Sequence, residues 1–594
     1  MAKHEKIKRL HELTEQFKAL EKSGALDLST EATARTWIDD LLRVFDWNPK
    51  DPNEVDQEIT LSDAEAEKLS KIDSSHTRPD YLLCAKSRSL VFIDAKKIGL
   101  SIEDHKKTAF QIRCYGWSAK HYYAVVTNFK EMAIYDCRFK PNKDQSADVA
   151  RVFYCTYETY IDNFNIISEH LDKNEIMSGL SFDKYKSTDK PIGTKTLDED
   201  FSEKISEWRL KIANSIYSYN KSLSIEHIAE ATQSVIDRIV FSRVAEGLNV
   251  LEKEFLNECV QGKNPWKTLN EFIGDECNKR FGGMLFNVGM AYKKVNIDDS
   301  LIKEFVESLY YPNPYRFDVI SPALLGNIYE RYLGRKLEFK GSKVVDDFKE
   351  EYQKTKGAVY TPEFIVHSVC IKTIAPLLNN SSFEKIMGLK ILDPSSGSGS
   401  FLLGVFDCLH DELIKLHDTS RIKGKQLGLF WSNPRTGKTL LRTFAKRELI
   451  NSCIHGVDID PQAVEVSRLS LSLKALESGS LEPIALRELG LLDSQLIDGI
   501  GDNIKLGNSL VDSRVFPYLN SLSPKDKKDL NIEKGIAGNI EALKKLKAFD
   551  WDSEAGFEKV MSDGGFDAIV GNPPYIEIKH YKKNSPLMHK YLSK

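Results

Sequence analysis

LKILDPSSGSGSFLLGVF, residues 389–406, decides how the C-terminal part of this chain is read. An apolar run ends at Asp393, a turn rich in Ser and Gly follows, and apolar residues then recur at helical spacing from about Ser400. That is strand, tight turn, helix. Gly397 and Gly399 let the backbone turn sharply and approach a ligand closely. Leu402 stands where a dinucleotide fingerprint needs its third glycine, so the turn is not that motif. Taken alone, it fits any strand-to-helix turn.

The same pattern recurs. CIHGVDIDP (453–461), NIKLGNS (503–509) and FDAIVGNPP (566–574) are short apolar runs ending in Gly, Asp or Asn, with helical patterns between them. Strands alternating with helices predict a parallel, doubly wound sheet. Ligands of such sheets bind at the carboxyl ends of the strands, where these turns lie. Asp458 suits ribose hydroxyls and Asp460 suits the cap of the next helix. Each acid alone is equally well read as a solvated cap. In Asn572-Pro573-Pro574-Tyr575 the prolines remove backbone donors and stiffen the turn. The Asn amide oxygen and a Pro carbonyl are left as two acceptors, which suits an exocyclic amino group with two hydrogens. Tyr575 offers a face for a base taken out of a duplex. A rigid turn with a core tyrosine accounts for the same four residues equally well.

The chain is 594 residues long, too long for one core. Apolar residues are 41% and charged residues 29%, the balance of a folded soluble protein. A formal net charge of −4 argues against a general polyanion binder while leaving room for local basic surfaces. Nine scattered cysteines without a Cys-x-x-Cys pair argue against structural zinc and a disulfide framework. No signal-peptide core and no membrane-length apolar run are present, so the expectation is a cytoplasmic protein without a membrane partner.

Residues 1–175 predict an α/β domain around a small sheet. Its strands are YLLCA (81–85), SLVFIDAK (89–96), YYAVVTN (122–128) and MAIYDC (132–137), with a helix at EATARTWIDDLLRVFDWNP (31–49) and another between the second and third strands. Residues 176–200 read as a polar linker, 201–350 as a connector that is helical throughout, and 351–594 as the strand–helix region. FWSNPRTGKTLL (430–441) ends like a phosphate-binding loop, but Ser432 replaces its first glycine and no clear strand precedes it, so it reads as a loop in a charged insertion.

RPDYLLCAKSRSLVFIDAKK (78–97) raises a second chemistry. Residues two apart on a strand share a face, so Asp94 and Lys96 would point together while Ala95 turns into the core. Asp80, at the start of the neighbouring strand, would complete a carboxylate pair. Two carboxylates bind a hard cation such as Mg²⁺, and a lysine beside them can orient the attacking water. On spacing alone a solvated hairpin is the better reading.

Order along the chain adds to this. KGAVYTPEFIV (356–366), the Asp-Pro-Ser-Ser-Gly-Ser-Gly turn, GVDIDP, GNSL (507–510) and FDWDSEAGFEKVMSDGGFDAIVGNPPY (549–575) occur in the order of the gamma-class N6-adenine DNA methyltransferases, which the sequence resembles. Ser395-Ser396 stand where relatives often carry Ala-Cys or Pro-Ala. The resemblance implies a Rossmann-like fold with S-adenosylmethionine as cofactor. Tyr360 and Thr361 would line its methionine end, Asp393, Gly397 and Gly399 its main loop, Asp458 its ribose, and Asn508 its adenine. It also implies direct attack by adenine N6, with Asn572 and Pro573 drawing the amine towards a tetrahedral form.

The N-terminal stretch resembles the PD-(D/E)XK nucleases. This implies Asp80, Asp94 and Lys96 as catalytic residues, Asp80 and Asp94 as Mg²⁺ ligands with Glu31 in support, and a helix glutamine at Gln111. With IDRIVFSRVAEG and LLGNIYERYLG in the connector, the whole resembles the type IIG restriction–modification enzymes, which cleave double-stranded DNA and methylate adenine as anti-phage defence. Two other readings stay open. In one, the nuclease-like domain only binds DNA; in the other, the chain is a non-catalytic, cofactor-sensing subunit. Family members continue for several strands and a target-recognition domain beyond the Asn-Pro-Pro-Tyr turn. The expectation is therefore an incomplete methyltransferase, truncated or split, that a second chain would complete and that would retain cleavage more readily than methylation.

Overall fold

The computed structural model describes residues 1–26, 30–57, 79–85, 88–187, 195–248, 250–252, 254–281, 295–311, 313–320, 335–348, 361–432, 438–477, 499–512, scattered positions between 515 and 525, and 547–573. The chain is mixed α/β. Its N-terminal part holds a six-stranded sheet with strands in sequence order: β1 (Val55–Gln57), β2 (Tyr81–Ala85), β3 (Arg88–Ala95), β4 (Tyr123–Thr127), β5 (Glu131–Asp136) and β6 (Arg151–Thr156). Only β3 and β4 pair in parallel, and the helix Lys106–Ser118 makes that crossover.

Alternation along the strands builds two cores. Val91, Ile93, Ala95, Tyr123 and Val125 face the helices α1 (Lys3–Lys22) and α2 (Glu31–Val44), packing on Phe17, Ile38, Leu41 and Leu42. Phe92, Ala124 and Val126 face the crossover helix at Ile112 and Tyr115. Four strands and both helices lie where the sequence puts them. Strands β1 and β6 add to that reading; VDQ is too short, and RVFYCT too irregular in burial, to announce a half-buried strand.

The block after residue 195 is not helical throughout, as the pattern had suggested. Two long helices, Leu197–Tyr219 and Ile225–Gly247, are followed by an antiparallel hairpin, β7 (Arg335–Lys340) and β8 (Lys343–Phe348). Gly341, at φ +62°, makes its turn. Asp346 anchors the hairpin to the helices, 2.7 Å from Arg209 and 2.8 Å from Arg335, and Asn214 bonds both backbone groups of Val344. Within the expected linker, helix continues to Ser187 and resumes at Leu197; residues 188–194 lie outside the described residues.

The C-terminal part carries a four-stranded parallel sheet in the order β13 (Ile504–Leu506), β12 (Ile454–Asp458), β9 (Ile391–Asp393), β14 (Ala568–Ile569). One apolar cluster runs from Leu197 through the helices to Val570, so the helical block and this sheet share a core. The segment that ends like a phosphate-binding loop is flanked by β10 (Phe430–Ser432) and β11 (Thr439–Leu441), which pair antiparallel. A hairpin thus replaces the expected loop, although residues 433–437 lie outside the described residues.

Candidate functional site

The carboxyl edge of the parallel sheet gathers four turns. After β9, the chain passes through Gly397 (φ +52°) and Gly399 (φ +84°) into the helix Ser400–Asp418. A Cβ at Gly399 would stand 3.1 Å from Ser467 Oγ, and Ser467 donates to the Gly397 carbonyl at 2.8 Å. The glycines therefore supply both the left-handed backbone and room for the neighbouring helix. Ser396 N donates to Val457 O at 3.0 Å, tying this loop to β12. Asp458 closes the link: Oδ2 accepts from Gly397 N at 2.9 Å and Oδ1 from Asp460 N at 2.8 Å. Asp460 caps the helix Pro461–Leu476 through Gln462 N, as its place in the sequence suggests. Asn508, buried after β13, accepts from Leu510 N at 3.1 Å through Oδ1.

Asp393 is the electrostatic centre of this edge. It is 1% exposed; Oδ1 accepts from Ser395 N at 3.0 Å, and Oδ2 accepts no hydrogen bond among the described residues. Burial, with Asp458 nearby, pushes its carboxyl up to about 7. The carboxylate lies against Gly571, where a Cβ would come within 2.6 Å of Oδ1. One residue on, Asn572 Nδ2 donates to Thr361 Oγ1 at 2.9 Å. The cofactor-loop candidates Asp393, Gly397, Gly399 and Asp458 thus form one bonded unit, and Thr361 and Asn572 meet beside it. Pro573 is exposed next to them. Tyr360, Pro574 and Tyr575 lie outside the described residues.

The second site lies on the N-terminal sheet. Register places Tyr81 opposite Ile93, so Asp80 and Asp94 flank the same point of the hairpin. Asp80 Oδ2 accepts from Ala95 N at 2.7 Å. Asp94 is 2% exposed, and Lys96 Nζ stands 2.6 Å from its Oδ2. Burial first, and Asp94 second, push the Asp80 carboxyl up to about 6. Gln111 lies on the crossover helix that covers this face, one turn before Tyr115. Glu31, at the start of α2, is joined to Asp80 through Arg35, which bonds Asp80 and lies 3.4 Å from Glu31. Among the described residues no three acidic, His or Cys side chains converge as a metal-binding group. Arg35 escaped sequence reasoning. It looks like any solvated helix cation, and only its i+4 spacing from Glu31 hinted at a shared face.

Residues 323–484 match the family described as N-6 DNA Methylase, and residues 452–594 the family described as Eco57I restriction-modification methylase. The chain is 27% identical over 565 residues to the type II restriction enzyme and methyltransferase RM.Eco57I of Escherichia coli, covering 94% of this chain and 51% of that protein. It is 27% identical over 242 residues to the adenine-specific methyltransferase PglX of Streptomyces coelicolor, covering 40% of this chain and 16% of that one. Among solved structures, the type IIG restriction endonuclease BpuSI aligns with 89% of this chain and 46% of its own at 11% identity and a TM-score of 0.29. The chain spans about half the length of RM.Eco57I. The chain is thus similar to a type II restriction enzyme and methyltransferase, with residues 323–484 and 452–594 matching two methylase families.

Proposed function

We propose that this protein cleaves DNA with Mg²⁺ and, with a second chain completing the methyltransferase, methylates adenine N6 in double-stranded DNA with S-adenosylmethionine. The domain division of the sequence reading, with a PD-(D/E)XK nuclease-like N-terminal part and a Rossmann-like methyltransferase part, belongs to the same proposal. The observation that carries it is the convergence of sequence-distant groups at one sheet edge: Asp393 against Gly571, Gly397 on Asp458, and Asn572 on Thr361.

That edge fits the cofactor chemically. The glycine turn leaves room for close approach, and the buried Asp393 Oδ2 is an acceptor awaiting a donor. When bound, S-adenosylmethionine supplies an electrophilic methyl group. Asp458 would hold its ribose hydroxyls, Asn508 would sit at its adenine and Thr361 at its methionine end. Thr361 also takes one Asn572 amide hydrogen, which turns the amide oxygen away from it. That oxygen and the Pro573 carbonyl would accept the two hydrogens of a target amino group. Both acceptors favour the amine as it becomes tetrahedral, so they act on the transition state more than on the bound base. Tyr575 would stack the extruded base.

Asp80 and Asp94 fit a hard divalent cation, because two crowded carboxylates with oxygen donors gain most from added positive charge. Bound Mg²⁺ would supply charge to the phosphate and acidify water. Lys96, 2.6 Å from Asp94, would orient that water, and Asp80 is held by the Ala95 amide. Unmodified phage DNA incubated with protein, Mg²⁺ and S-adenosylmethionine should yield fragments, and N6-methyladenine once the completing chain is added. Asp94→Ala should lose cutting and keep cofactor binding. Cutting that survives in Asp94→Ala would refute the nuclease assignment.

A further inference from the structure

We propose that Arg35 is the internal counter-ion of the Asp80–Asp94 pair and that a divalent cation must displace it to bind. The inference rests on the nuclease reading above and adds the residue that sets metal affinity. Glu31, Arg35 and Asp39 follow one another at four-residue intervals on α2, so they share a face, and that face meets the start of β2. The helix is fixed there by Ile38, Leu41 and Leu42 in the core. The Arg35 carbonyl also accepts from Tyr81 OH at 3.1 Å, which ties its backbone to the residue following Asp80.

From that anchor the guanidinium reaches Asp80 Oδ1 and lies 3.4 Å from Glu31 Oε1. Asp80 is thereby engaged at both oxygens, by Arg35 and by the Ala95 amide, while Asp94 faces Lys96 at 2.6 Å. Two carboxylates are balanced by two cations. A metal ion entering this arrangement meets a pair whose charge Arg35 and Lys96 already offset, rather than two bare carboxylates. Lys96 shares its strand end with Asp94, whereas Arg35 comes from another element and its side chain keeps one-fifth exposure at the rim. Arg35 is therefore the cation that can leave. Its exit would free Asp80 Oδ1 and bring Glu31 into play as a further oxygen donor.

The test is Mn²⁺ binding to the full chain, read from the free-ion electron paramagnetic resonance signal. Arg35→Gln should bind Mn²⁺ about tenfold more tightly than the parent, the effect of removing one close positive charge. Its thermal midpoint should rise more on Mn²⁺ addition than the parent's. Asp94→Asn should weaken binding in either background. Equal or weaker Mn²⁺ binding by Arg35→Gln, with Asp94→Asn still harmful, would overturn the role of Arg35 and leave the nuclease reading intact. Binding indifferent to Asp94→Asn would remove the nuclease reading and this inference together. If Arg35→Gln does not fold, Arg35→Met decides. It keeps the aliphatic stem without the charge, so binding tighter than the parent supports the proposal and equal binding refutes it.

Discussion

Gly571→Ala should cripple methyl transfer although it adds a single methyl group. A Cβ there would stand 2.6 Å from Asp393 Oδ1 and 3.2 Å from Asp393 Cγ. The constraint is one of room rather than backbone conformation. Comfortable separations between heavy atoms are about 3.5 Å, so close to 1 Å must be found. Neither side yields easily. Asp393 is 1% exposed and bonded to Ser395 N, and Val570 N donates to Leu392 O at 2.9 Å on the strand below. Overpacking of this kind costs about 1–3 kcal/mol. Moving the Asn572 acceptor by about 1 Å should lower kcat about a hundredfold. The assay is the initial rate of labelled methyl transfer by the completed enzyme at saturating S-adenosylmethionine, alongside thermal melting and calorimetric cofactor binding. Asp393→Ala removes the clashing oxygen, so the two substitutions should couple by about 1 kcal/mol or more in a stability cycle. A Gly571→Ala protein with parental rate and melting temperature, or strict additivity with Asp393→Ala, would refute the reasoning.

Other expectations follow from the same geometry. Asp393 is held up at about 7, so the folded state binds its proton more tightly than the unfolded chain does. The stability it contributes is full below about pH 4 and is lost as pH rises through about 7, a change of about 4 kcal/mol. Asp393→Asn should flatten urea midpoints across that window, and an unchanged slope would place the effect elsewhere. Asp346→Ala removes the buried carboxylate facing Arg209 and Arg335, and should cost about 3 kcal/mol in denaturant unfolding. In the completed enzyme Asn572→Ala should abolish methyl transfer while calorimetry still finds cofactor binding, and methylation at the parental rate would remove that residue's role.

Local patterns carried much of the reading. Four strands and two helices of the N-terminal sheet were legible because period-two and helical spacing survive in short windows. The Asp393 turn, the helix from Ser400 and the Asp460 cap were legible because Gly, Asp and Pro act on their immediate neighbours. The hairpin of β7 and β8 was missed. Its alternation follows long helices, and its stability comes from Asp346 meeting Arg209, a contact no window contains. The β10–β11 pair was missed for a related reason, since three-residue strands have too little period to recognise.

What the sequence determined by itself was the type and order of the elements, the turn chemistry at each strand end, and the residue types gathered there. These follow from backbone sterics and from neighbours a few positions apart. Tertiary structure alone decided which of those residues meet. Thr361 reaches Asn572 across 211 positions, Asp393 lies against Gly571, and Arg35 turns from a surface helix onto Asp80. Parallel strand pairing and helix packing bring those groups together. Burial at the meeting points then raises the carboxyls of Asp80 and Asp393, because the charged form of an acid is the one that loses most when water is excluded.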